Sequence, residues 1–133
     1  MQRFLLRGAL AAALAMAVAT PAMCVEPISF TPGNPWTQTI GSVTKTSSYQ
    51  EYSFTADAGK TLQINLISRN PNLYFKVLSA DSRKPLVDTM SSGETTWTTK
   101  PGTDATYTVR VYQDPATAAS GDVTRYALQV GIY

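Results

Sequence analysis

The sequence predicts an all-β fold: a single antiparallel β-sandwich, jelly-roll-like, of about eight strands. Three observations predict it. From residue 26 onward the chain is dominated by Thr, Ser, Val and Tyr, residues that suit a pleated, half-buried surface. Apolar and polar residues alternate with period two in several short runs, while no stretch beyond residue 22 keeps a helical period over three turns. Turn residues interrupt the runs about every 8–12 positions, the spacing of strands in sandwiches.

In chain order, residues 1–22 read as a secretory signal. Arg3 and Arg7 supply the positive start and 9–19 (ALAAALAMAVA) the apolar run. Ala17-Val18-Ala19 or Thr20-Pro21-Ala22 gives the small-residue cleavage pattern. The run is shorter than the roughly 20 residues that a membrane-spanning helix needs, so no transmembrane segment is expected and the predicted location is the periplasm. Cys24 follows Pro21-Ala22-Met23, a poor match to the triplet that precedes a lipidated cysteine. It reads as an unpaired thiol, with a lipid anchor as the alternative. Residues 23–133 form one domain.

Within that domain, 28–30 and 36–43 are expected as an edge strand and its partner. Residues 49–55 put Tyr52 and Phe54 on one face, and 56–60 turns, with Gly59 free to take a positive φ. In 61–67, Leu62, Ile64 and Leu66 point one way and Gln63 and Asn65 the other. Asn70-Pro71-Asn72 sets off 73–78, whose inner face is Leu73, Phe75 and Val77. A polar turn at 81–85 leads to a weak strand, 86–90, and Ser91-Ser92-Gly93 separates it from 95–99, where Trp97 is the single large apolar residue. Pro101-Gly102 turns into 107–112, with Tyr107, Val109 and Val111 inward and Arg110 and Tyr112 outward. The last strand, 126–132, turns Tyr126, Leu128, Val130 and Ile132 inward. These sets supply about 16 large apolar residues, enough for a core without disulfide or metal at this length.

Composition limits the chemistry. The chain has no histidine, so Ser-His-Asp and Cys-His catalysis and His-ligated metals are excluded. One cysteine allows neither an intramolecular disulfide nor a four-cysteine metal site. The carboxylates Asp57, Asp81, Asp104, Asp114 and Asp122 sit in separate turns, without the Asp-x-Asp-x-Asp spacing of a calcium loop, so no metal or cofactor is expected. Of the eleven Lys and Arg, two lie in the signal, and the other nine balance nine Asp and Glu. A neutral chain with evenly spread charge offers nucleic acid no basic patch. The expected class is a monomeric binding protein rather than an enzyme.

Two stretches carry a resemblance. Gly41-Ser42-Val43, followed by 49–62 (YQEYSFTADAGKTL), resembles the front half of the bacterial pre-peptidase C-terminal type of β-sandwich. The back half is narrower: 107–113 (YTVRVYQ), a loop containing Ala118, and 125–130 (RYALQV) resemble the periplasmic inhibitors of goose-type lysozyme. That resemblance implies a protein partner, a goose-type lysozyme, whose cleft is occluded by strand-end loops. In that family the loop after the Arg-Val-x-Gln strand is rich in arginine; here it carries none and has two aspartates. The alternative is a free-standing pre-peptidase-type envelope domain that binds cell-wall glycan or a secreted partner.

The loop 113–124 is the longest polar connection in the pattern, and such loops often carry binding. The candidate partner-binding residues are Gln113, Asp114, Thr117 and Ser120 in this loop, with Tyr112 beside it and Arg110 and Tyr49 on neighbouring outward positions. Each has a plainer reading: a variable surface loop for the first four, a cross-strand ion pair for Arg110, and a cross-strand aromatic partner for Tyr49. Trp36 and Trp97 read as core or rim residues, with sugar stacking, tested at Trp97, as the sharper alternative.

Overall fold

The computed structural model describes residues 25–80, 82–114, 116 and 123–133; the predicted signal, Cys24, Thr117 and Ser120 lie outside them. Nine strands and one helical turn follow in order: β1 (Val25–Pro27), β2 (Trp36–Thr44), β3 (Tyr49–Ala56), β4 (Leu62–Ser68), β5 (Leu73–Ser79), β6 (Val87–Asp88), α1 (Thr89–Ser92), β7 (Thr96–Thr99), β8 (Ala105–Gln113) and β9 (Val123–Ile132). They form a five-stranded sheet, β1-β3-β8-β5-β6, facing a four-stranded sheet, β2-β9-β4-β7. Apart from the β5–β6 hairpin, successive strands alternate between the sheets, which is the winding of a jelly roll. Every pairing is antiparallel except β1 with β3.

The period-two pattern explains the layers. Leu62, Ile64 and Leu66 of β4, Leu73, Phe75 and Val77 of β5, Tyr107, Val109 and Val111 of β8, and Tyr126, Leu128 and Val130 of β9 are all buried between the sheets. Two hydroxyls cross this apolar layer. Tyr52 from one sheet and Tyr126 from the other share a buried hydrogen bond of 2.6 Å, so neither is left unpaired. Burial holds both hydroxyls above the usual tyrosine range, and at Tyr126 the bond to Tyr52 adds to the effect.

Three expectations are corrected. The edge strand is 25–27 rather than 28–30. Ile28 and Phe30 instead pack against the core, and a single further bond, Ile28 N–H to the Ser53 carbonyl at 2.8 Å, extends the pairing. The weak strand expected at 86–90 holds only for Val87 and Asp88 before the chain coils into α1. Asp88 caps that turn by accepting from Met90 N–H, Gly93 closes it at φ 77°, and the buried Thr89 hydroxyl accepts from Phe75 N–H at 2.9 Å. Finally, β9 begins at Val123, so the long loop narrows to 114–122.

Candidate functional site

Three of the residues singled out from the sequence meet on the outer face of the five-stranded sheet. Register places Tyr49 opposite Tyr112 and Tyr112 opposite Tyr74, an aromatic row across β3, β8 and β5. Two residues along the strands, Glu51, Arg110, Lys76 and Asp88 form a second row across β3, β8, β5 and β6. The rows are tied together. Arg110 Nη2 lies 2.7 Å and its Nε 2.8 Å from Glu51 Oε2, while the guanidinium carbon stands 4.8 Å from the centre of the Tyr49 ring. Lys76 Nζ lies 3.9 Å from Asp88 Oδ2 and 4.8 Å from the Tyr112 ring centre. Tyr112 in turn stacks at a tilt with Tyr74, at 5.9 Å, and its hydroxyl donates to Asp88 Oδ1.

Electrostatics follow from that geometry. The adjacent cations Arg110 and Lys76 would repel, but each has a carboxylate on its far side, so the row resolves into two compensated pairs with the cations inside. Burial first, then the hydrogen bond to and the charge of Asp88, push the Tyr112 hydroxyl well above the usual tyrosine range, so it stays a donor at neutral pH. The result is a face of half-buried aromatic and charged side chains already fixed by their neighbours. Such a face loses little rotamer freedom on meeting a protein partner, and Tyr and Arg are the residues that anchor such contacts.

The remaining candidates fare differently. Gln113 turns inward, where it is 5% exposed and its Oε1 accepts from the Thr124 hydroxyl at 3.3 Å. The bond ties β8 to β9 and leaves little of the Gln113 side chain at the surface. Asp114 opens the loop: its N–H donates to the Asn72 carbonyl and its carboxylate accepts from Ala116 N–H at 2.9 Å. Trp97 lies opposite Ile64 and packs against the core, half-buried as Trp36 is. Sequence reasoning missed Glu51, Tyr74, Lys76 and Asp88. A signal was present, because Tyr74 and Lys76 alternate with the apolar Leu73, Phe75 and Val77, but which strands lie beside β5 is not written locally. Among the described residues no group of three or more His, Cys, Asp or Glu is placed to hold a metal ion.

No protein-family model matches the chain, and no curated protein matches it. Solved structures do. A periplasmic lysozyme inhibitor of g-type lysozyme (PliG) from Aeromonas hydrophila superposes with a TM-score of 0.69 at 24% identity, over 82% of this chain and 96% of that one. The Salmonella Typhimurium PliG gives 0.62 at 16% identity, over 80% and 96%. The pre-peptidase C-terminal domain of a Bacillus anthracis collagenase gives 0.59 at 17%, over 84% and 99%. At these identities the likeness is one of fold, and it joins the two groups that the sequence resembles.

Proposed function

We propose that this chain is an exported periplasmic binding protein that inhibits a goose-type lysozyme and catalyses nothing itself. The observation that carries the reading is the fold likeness to g-type lysozyme inhibitors over four-fifths of the chain and nearly the whole of theirs. In this mechanism the monomer docks with the Tyr49–Tyr112–Tyr74 row, and the connection that starts at Asp114 reaches into the cleft and excludes the glycan substrate. The loop has no arginine, so occlusion rests on hydrogen bonds and tyrosine contacts rather than on a cationic plug. Arg110 reaches the partner as one half of its ion pair with Glu51.

The test is the clearing of bacterial cell walls by goose-type lysozyme, with chicken-type and invertebrate-type enzymes as controls. Purified protein lacking residues 1–22 should protect against the goose-type enzyme alone. The Tyr49→Ala/Tyr112→Ala variant should need about tenfold or more protein for the same protection, the scale of losing interface anchors. Protection against none of the three enzymes would overturn the reading.

A further inference from the structure

The outer face of the other sheet carries a different and self-contained arrangement. Register brings Gln38, Gln129 and Asn65 into one row across β2, β9 and β4, and Trp36, Gly131 and Gln63 into the next. Their amides link head to tail. Tyr133 Oη donates to Gln63 Oε1 at 2.8 Å, Gln63 Nε2 to Asn65 Oδ1 at 3.1 Å, Asn65 Nδ2 to Gln129 Oε1 at 3.2 Å, and Gln129 Nε2 to Gln38 Oε1 at 3.0 Å. All the donors run in one direction, so each bond polarises the next. Each amide group still has a second hydrogen on nitrogen or a second lone pair on oxygen.

Beside this ladder lies an aromatic floor. The Trp36 ring rests on Gly131, where a Cβ would stand 2.6 Å from ring atoms, and it stacks with the half-exposed Tyr133 at 5.7 Å and 28°. Trp36 and the amides of Gln38, Gln63, Asn65 and Gln129, with Asn34 and Thr37, line a cleft of about 540 Å³ that has no charged residue in its lining; Tyr133 stands behind Trp36, outside that lining. The volume is in the range of small-ligand sites.

We propose that this cleft binds an uncharged oligosaccharide. A pyranose presents hydroxyls that both donate and accept, which the amide ladder matches, and an apolar C–H face, which the Trp36 ring, held by its stacking with Tyr133, matches. The alternatives fit worse. A nucleic acid would bring phosphates to a surface with no cation. A proline-rich peptide would stack on the rings, but its prolines have no N–H to offer the free acceptors. The cleft is on the opposite sheet from the tyrosine row, so the inference stands independently of lysozyme inhibition.

The experiment is retention of the purified protein on insoluble chitin and cellulose and on intact peptidoglycan, together with tryptophan-fluorescence titration by soluble oligomers of N-acetylglucosamine and of glucose. Binding to at least one neutral glycan is expected, unchanged by added sodium chloride. Trp36→Ala and Gln129→Glu should each weaken it about tenfold or more, the factor that about 1.4 kcal/mol represents, while Trp97→Phe leaves it intact. Gln129→Glu keeps the aromatic floor and the side-chain volume, and thermal melts establish that each variant is folded. No binding to any glycan would overturn the proposal. So would binding that salt abolishes, binding that survives both variants, or capture of a polyproline peptide in place of sugar.

Discussion

Tyr52 and Tyr126 illustrate how much a single atom contributes inside this sandwich. Each hydroxyl is the other's partner, and each is cut off from water. Tyr126→Phe should therefore cost about 1–3 kcal/mol, because it strands the Tyr52 hydroxyl. The Tyr52→Phe/Tyr126→Phe double variant should cost less than the two single variants added, a coupling that urea denaturation of all four proteins would reveal. The same pair sets a pH limit. Both groups sit above the ordinary tyrosine value of about 10 in the folded protein, so the unfolded chain loses its phenolic protons first. Their contribution is complete below about pH 10 and is lost as pH rises through the higher folded values. Urea midpoints measured between about pH 8 and 11 should hold steady and then fall, and the fall should be shallower in the double Phe variant. The Tyr112 hydroxyl, also raised, adds a decline of the same sign.

At the level of elements, the β2–β9 ladder twice sets an aromatic ring over a glycine. Gly41 lies opposite Tyr126, and Gly131 lies opposite Trp36. A Cβ at Gly41 would stand 2.6 Å from Tyr126 Cζ and 2.7 Å from Tyr52 Oη, so Gly41→Ala should destabilise by about 1–3 kcal/mol, read from the denaturation midpoint. Arg110→Ala makes the contrasting case. Its side chain is about a third exposed, and the pair with Glu51 is an ordinary cross-strand contact, so the loss in stability should be about 0.2–1 kcal/mol. A much larger effect on lysozyme protection than on the melt would then mark Arg110 as a contact residue. Elements with strict alternation, such as Leu62–Ser68, were legible in the sequence because one face of each is fully buried. The residues of β1 are all exposed and hold their place by backbone pairing alone, so no pattern marks them. At α1 the local signal was available in the capping Asp88 and in Gly93, but 86–90 read as one weak strand.

For the molecule as a whole, the candidate sites were harder to read than the fold because they depend on register between distant segments. Gln63 and Asn65 are outward in any alternating reading, yet Gln38 joins their ladder only through Gln129 across two strand pairings. The tyrosine row likewise needs β8 to lie between β3 and β5. Nearly every pairing joins strands far apart in the chain, so loop closure precedes most of the favourable contacts. Refolding should accordingly take milliseconds to seconds rather than microseconds, which stopped-flow tryptophan fluorescence would measure. One further point follows from the strand order. The strands at the heart of the two sheets, β8 and β9, are the last two to be made. By the end of β7 the chain already holds the pairs β1–β3, β4–β7 and β5–β6, but not the strands that join them into sheets. A chain stopped before Val123 leaves β2 unpaired and should show a weaker β-sheet signal by circular dichroism than the full chain. Val123–Ile132 is the clasp of the four-stranded sheet: β2 pairs with no other described strand, and β4 gains its second neighbour only there.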